Sequence, residues 1–141
     1  MRIVIDNSII LDALLGRQPY NKAAEQILLH CANAHEGCLN ANSLTAIFYI
    51  LRKAMDAKAA KESVKTLVDL FAILSVSEDE CVNALTLPID DFEDALVAAC
   101  AMKAEADYIV TRDKQLLLMP SPVTIVSPEK ILDILESNHR L

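Results

Sequence analysis

A chain of 141 residues with 53% hydrophobic and 23% charged residues is the size of one domain and can bury a core without disulfides or structural metal. Its two glycines, Gly16 and Gly37, lie too far apart to build a phosphate-binding loop, and so few turn-forming residues speak against an all-β sandwich. A net charge of −7 argues against sequence-independent DNA binding, but nucleic acid stays open as a substrate wherever carboxylates hold a divalent cation.

In chain order, Arg2-Ile3-Val4-Ile5 reads as a short strand ending at Asp6, followed by a helix over residues 8–15 that Gly16 stops. Helical spacing of Ala23, Ile27, Leu28 and Cys31 marks a helix over 20–34. Residues 37–40 form a second short strand. Asn42 or Ser43 then caps a helix to about Met55, and another helix covers 58–72. Residues 73–76 read as a third strand. Ser77 opens a short helix with Glu78 and Glu80 in its first turn, where the helix dipole favours acid. Pro88 breaks the chain, and Asp90 or Asp91 opens a helix to about Glu105. Strands follow at 108–111 and 123–126, and Ser127-Pro128-Glu129 starts a final helix. Alternating helices and short, continuously apolar strands predict one α/β domain over 1–141, with a central, mostly parallel sheet of four to five strands covered on both faces.

Ligands in open α/β sheets bind beyond the carboxyl ends of the strands. Asp6 follows the first strand and Asp113 the fourth, while Asp91 and Asp94 share a face at the start of the helix between them. If the first and fourth strands are neighbours, these acids converge, and like charges brought together call for a hard divalent cation such as Mg²⁺ or Mn²⁺. Asp6, Asp90 or Asp91, and Asp113 also suit a helix N-cap, the structural alternative.

The blocks IVIDNSIILDALLGR, DFEDALVAACA and ADYIVTRD together resemble the PIN domain, to which VapC-type toxins of toxin–antitoxin pairs belong. The resemblance runs from Met1 to about Pro128 and implies a three-layer α/β fold and a Mg²⁺- or Mn²⁺-dependent endoribonuclease. It implies metal ligation by Asp6, Asp94 and Asp113, with Asp91 as a further acid and Thr111 supporting the site. In place of the usual Thr-Asn after the first acid stand Asn7 and Ser8, which keep short polar groups there. The family's helix after the second strand usually carries a Glu; here Ala46, Ile47 and Phe48 occupy that stretch. That departure motivates a second reading, a non-catalytic PIN-fold module that binds a partner or RNA. A phospho-acceptor receiver domain is disfavoured by Asn7 and by the lack of a Lys after a late strand. The resemblance further implies an antitoxin partner and a homodimer.

Other clusters weigh less. His30, Cys31, His35 and Cys38 fit no zinc spacing, and the four cysteines read as reduced thiols. Arg52, Lys53, Lys58, Lys61 and Lys65 read as a solvated face or as an RNA-backbone contact, and Arg112 beside Asp113 is the basic residue best placed to meet phosphate. Ile10, Leu11, Leu14 and Leu15, with Ile47, Phe48 and Leu51, read as core or as a docking face. The first residues show no leader pattern and no apolar run spans a bilayer, so a cytoplasmic, membrane-free protein is expected.

Overall fold

The computed structural model describes residues 1–139, with side chains through Ser137. In chain order the elements are β1 (Arg2–Ile5), α1 (Asn7–Leu14), α2 (Asn21–Asn33), β2 (Glu36–Asn40), α3 (Ala41–Ala54), α4 (Ala57–Leu70), β3 (Ala72–Leu74), α5 (Glu78–Thr86), α6 (Phe92–Lys103), β4 (Tyr108–Val110), α7 (Lys114–Leu117), β5 (Ile125–Val126) and α8 (Pro128–His139). The strands run in the order β3-β2-β1-β4-β5, every pairing parallel. The expected sheet is therefore present, with five strands and wholly parallel among the described residues.

Side-chain alternation along the strands sorts the helices into two layers. Ile3, Ile5, Leu39 and Val110 point into the larger core, packed with Ile9, Ile10 and Leu11 of α1, Ile27 of α2, Ile47 and Leu51 of α3, Leu67 of α4 and Ile131 and Leu135 of α8. Val4, Cys38 and Ile109 point the other way, onto Val97 and Ala101 of α6. The outer side of α6 packs on α5, so residues 95–101 are buried without a break. Their smallness, mostly Ala, lets that helix lie close between sheet and α5.

Three expected strands are shorter than read, β4 by one residue, since it ends at Val110 rather than Thr111. β3 ends at Leu74 because its partner β2 ends at Asn40, leaving Ser75 and Val76 no ladder. β5 is confined to Ile125 and Val126, which face Ile109 and Val110. The helix after Asp113, marked in the sequence only by that capping acid, is the four-residue α7; a single turn is too short to show a helical period. Gly37 is required by packing: a Cβ there would lie 2.8 Å from both Cys31 Cβ and Phe71 Cδ1.

The apolar residues on α1 and α3 divide between core and surface. Ile10, Leu11, Ile47 and Leu51 are core, Leu15 and Phe48 are half-buried against it, and Leu14 is exposed. Among the described residues, no helix is long and apolar enough to cross a membrane.

Candidate metal centre

β1 and β4 are neighbours, in a register that sets Ile5 against Val110 and carries Asp6 to the level of Thr111. Asp6 has extended backbone angles and caps α1. Its Oδ2 accepts from Ser8 N–H (3.3 Å), Ser8 Oγ (2.7 Å) and Thr111 Oγ1 (2.8 Å). The same Thr111 oxygen accepts from Asp113 N–H (3.1 Å), and Ser8 Oγ accepts from Arg112 N–H (3.3 Å). Thr111 is fully buried. The Thr-Arg-Asp turn is thereby bolted to the end of β1.

The capping role is filled by Asp6, Asp91 and Asp113. Asp91 caps α6 by accepting from Asp94 N–H through Oδ1 (3.0 Å), and Asp113 caps α7 by accepting from Gln115 N–H through Oδ1 (2.9 Å). These hydrogen bonds use one carboxylate oxygen of each cap, Oδ2 in Asp6 and Oδ1 in Asp91 and Asp113. Each capping acid keeps a second oxygen for other work.

Asp94 has no capping duty and feels the others most. Burial, then the charges of Asp91, Asp6, Asp113 and Glu93, push its carboxyl up to about 6. Carboxylates from three separate segments therefore act on one side chain, at the carboxyl edge of the sheet. Asn7 adds a hydrogen bond from Nδ2 to Glu93 Oε1 (3.2 Å), while its own Oδ1 is buried without a partner. As the side chains stand, no three or more His, Cys, Asp or Glu groups among the described residues are close enough to enclose a metal ion. The donor set nevertheless suits a hard cation: spare carboxylate oxygens, crowded negative charge and an unsatisfied amide oxygen.

Reading the sequence missed Asp12. It lies inside α1, almost completely buried, and receives both Nε (2.6 Å) and Nη2 (2.8 Å) of Arg112, with Arg17 Nη1 at 3.8 Å. Arg112 also stacks on Tyr20, its Cζ 3.9 Å from the ring centre. Much of the arginine's charge is thus engaged inside the protein, although about a third of its side chain stays exposed. The signal was available: an acid within the apolar run Ile9–Leu15 needs a buried cationic partner.

The remaining clusters stand away from this corner. Cys31 and Cys38 are buried, and burial pushes their thiols up to about 12 and about 11, away from the thiolate a metal would bind. All four cysteines are free. His35 lies beside the amino terminus, at the opposite edge of the sheet. On α3 and α4, Lys53 sits over Tyr49 and Lys65 pairs with Asp69.

A family model described as PIN domain matches residues 2–115. The chain belongs to the PIN-domain family. No curated protein sequence matches it. Solved structures with a similar fold include VapBC2 of Rickettsia felis bound to a promoter DNA fragment (15% identity, 90% of this chain and 98% of that one, TM-score 0.71). FitAcB of Neisseria gonorrhoeae is similar over 90% of this chain and 98% of its own (18% identity, TM-score 0.69). VapC20 of Mycobacterium tuberculosis, a sarcin–ricin loop cleaving toxin, is similar over 81% and 92% (16% identity, TM-score 0.67). At such identities the common property is the PIN fold itself.

Proposed function

We propose that this PIN-domain chain is a Mg²⁺- or Mn²⁺-dependent endoribonuclease acting in the cytoplasm, the toxin of a toxin–antitoxin pair. The observation that carries the reading is the gathering of acids from three segments around Asp94 at the carboxyl edge of the sheet. In this reading Asp6, Asp94 and Asp113 hold the cation and Asp91 adds negative charge. A divalent ion bound there would supply Lewis acidity and an activated water for phosphodiester hydrolysis. The hydroxyls of Ser8 and Thr111 fix Asp6 through Oδ2 and leave Oδ1 for the ion. Thr111 also fixes the backbone of Asp113, and Asn7 restrains Glu93 at the head of α6. Beside Asp113 lies a cleft of about 490 Å³ lined by Ser8, Tyr20, Arg112, Asp113 and Lys114. It offers an aromatic face for a base and two cations for RNA phosphate.

An antitoxin partner is supported by the fold shared with VapBC2 and FitAcB. A groove of about 310 Å³ formed by Leu44, Thr45, Phe48, Lys61 and Val64 offers an apolar seat between α3 and α4. A symmetric homodimer belongs to the same proposal.

One observation favours the second reading, a non-catalytic PIN module: α3 presents Ala46, Ile47 and Phe48 where an acid is usual. The two are separated by incubating the purified chain with a structured RNA. Cleavage with Mn²⁺ that stops in EDTA and in Asp94→Asn is the expected result. Intact RNA, with no divalent-ion binding by calorimetry at millimolar concentration, would establish the binding module instead.

A further inference from the structure

The carboxyl edge of the sheet ends in a row set by strand register. β1 and β2 pair Arg2 with Glu36, Ile3 with Gly37 and Val4 with Cys38, so Asp6 stands level with Asn40. Parallel partners at one level point to the same face of the sheet. Val4 and Cys38, two residues earlier, face α6, and Asn40 follows them: its Nδ2 donates to the backbone oxygen of Leu96, two residues beyond Asp94. Asn40 is therefore wedged between the end of β2 and the first turns of α6, one strand over from Asp6.

Three features of Asn40 need a common cause. It is 1% exposed, yet its Oδ1 has no hydrogen-bond partner. It is the N-cap residue of α3, a position where Asn normally caps through its side chain, yet it makes no such bond. It also sits on the strand whose following helix lacks the expected acid. A buried amide oxygen without a donor is unfavourable unless something comes to meet it. The only other buried side-chain oxygens without partners among the described residues are Asn7 Oδ1 and Asn42 Oδ1, both just past the ends of β1 and β2. Amide carbonyl oxygens are accepted ligands of hard divalent cations.

We infer that Asn40 lends its amide oxygen to the cation site, taking up from β2 the ligand position that α3 leaves vacant. The inference rests on the nuclease reading to the extent that a cation binds among Asp6, Asp94 and Asp113. A neutral ligand in that position limits the crowding of negative charge that already weighs on Asp94.

The test is calorimetric titration of the full chain with Mn²⁺ alone, without RNA, for wild type, Asn40→Ala, Asn40→Asp and Asp94→Asn. Thermal melting in EDTA and in Mn²⁺ runs alongside. Asn40→Ala is expected to weaken Mn²⁺ binding about tenfold. Asn40→Asp, which restores an acid at this corner, is expected to tighten it by a similar factor, to melt lower than wild type in EDTA and to regain that loss in Mn²⁺. If Asn40→Ala fails to fold, Asn40→Asp carries the test alone. Both Asn40 variants binding within about twofold of wild type, while Asp94→Asn loses the ion, would overturn the role of Asn40 and leave the cation site standing. A wild-type chain that takes up no Mn²⁺ would overturn the cation site, and this inference with it.

Discussion

Asp94 is the residue on which the site weighs most heavily. Its folded carboxyl titrates near 6 against an ordinary 3.8, so the charged form opposes folding at neutral pH. That penalty is complete above about pH 6 and fades as the pH falls from 6 toward 4, where the folded carboxyl is already neutral. Asp94→Asn removes the charge and keeps the shape. In EDTA at pH 7.5 the variant is expected to be more stable than wild type by about 1 kcal/mol, a modest figure because the group is partly solvated. The gap should close in urea titrations repeated near pH 4. In millimolar Mn²⁺ the order should reverse, because only the wild type gains binding energy. A variant less stable than wild type in EDTA would show that Asp94 is not strained by its neighbours.

The Arg112–Asp12 pair is asymmetric at the same scale. Asp12 is enclosed, whereas Arg112 can turn toward water. Arg112→Met strands a buried carboxylate, with only Arg17 at 3.8 Å to answer it, and is expected to lower stability by about 3 kcal/mol. Asp12→Asn should lower it less, since the arginine can solvate itself. Equal losses in denaturant melts of the two variants would contradict this account of the pair.

Among the elements, α5 and α6 are joined by Glu80. Its carboxylate accepts from Lys103 Nζ (2.8 Å) on α6 and from Ser77 Oγ (2.5 Å) at the head of its own helix. These bonds, Lys103's first, hold the Glu80 carboxyl down to about 2, against an ordinary 4.5. A depressed folded value stabilises the protein above about pH 4.5, and the contribution drains away as the pH falls toward 2. Glu80→Gln should therefore melt lower than wild type at pH 7, with the difference narrowing steadily below pH 4.5. A constant difference across that range would mean that the charge is irrelevant. Because α6 also bears Asp94, loosening this tie is expected to disturb the head of α6 as well.

These elements show what the sequence discloses. Helix starts were legible at Asp6, Ser77 and Asp91, but not at α3, where Asn42 and Ser43, read as caps, lie inside a helix whose N-cap is Asn40. The helix opened by Asp90 or Asp91 begins with Asp91 as its cap and stops at Lys103, where Glu105 adopts a positive φ of 54°. Nothing in the side chain of Glu105 announces a position that usually takes glycine. Asp6 and Asp113 were legible because strand ends are marked by their apolar runs, and Asp91 and Asp94 because they stand at the start of a helix. Asn40 and the Asp12–Arg112 pair were not. Their meaning depends on register and on partners 56 and 100 residues away, which only the fold brings together.

For the molecule as a whole, the relevant quantity is a charge of −7 on a chain proposed to grip RNA. A surface of that sign repels a polyanion except where a cation or a few basic side chains intervene. The basic residues beside Asp113 are Arg112, partly committed to Asp12, and Lys114. Few phosphates can then be neutralised at once, so few counterions are released on binding. Association with a structured RNA, followed by fluorescence anisotropy in Ca²⁺ as an oxygen-binding ion, is expected to weaken only gently with salt. The logarithmic slope should be about −1 to −3. EDTA should reduce binding sharply at every salt concentration, because the bridging charge goes with the ion. A slope steeper than about −5 that EDTA leaves unaltered would mean that RNA is held on a broad basic face, with the lysines of α3 and α4 as the first residues to replace.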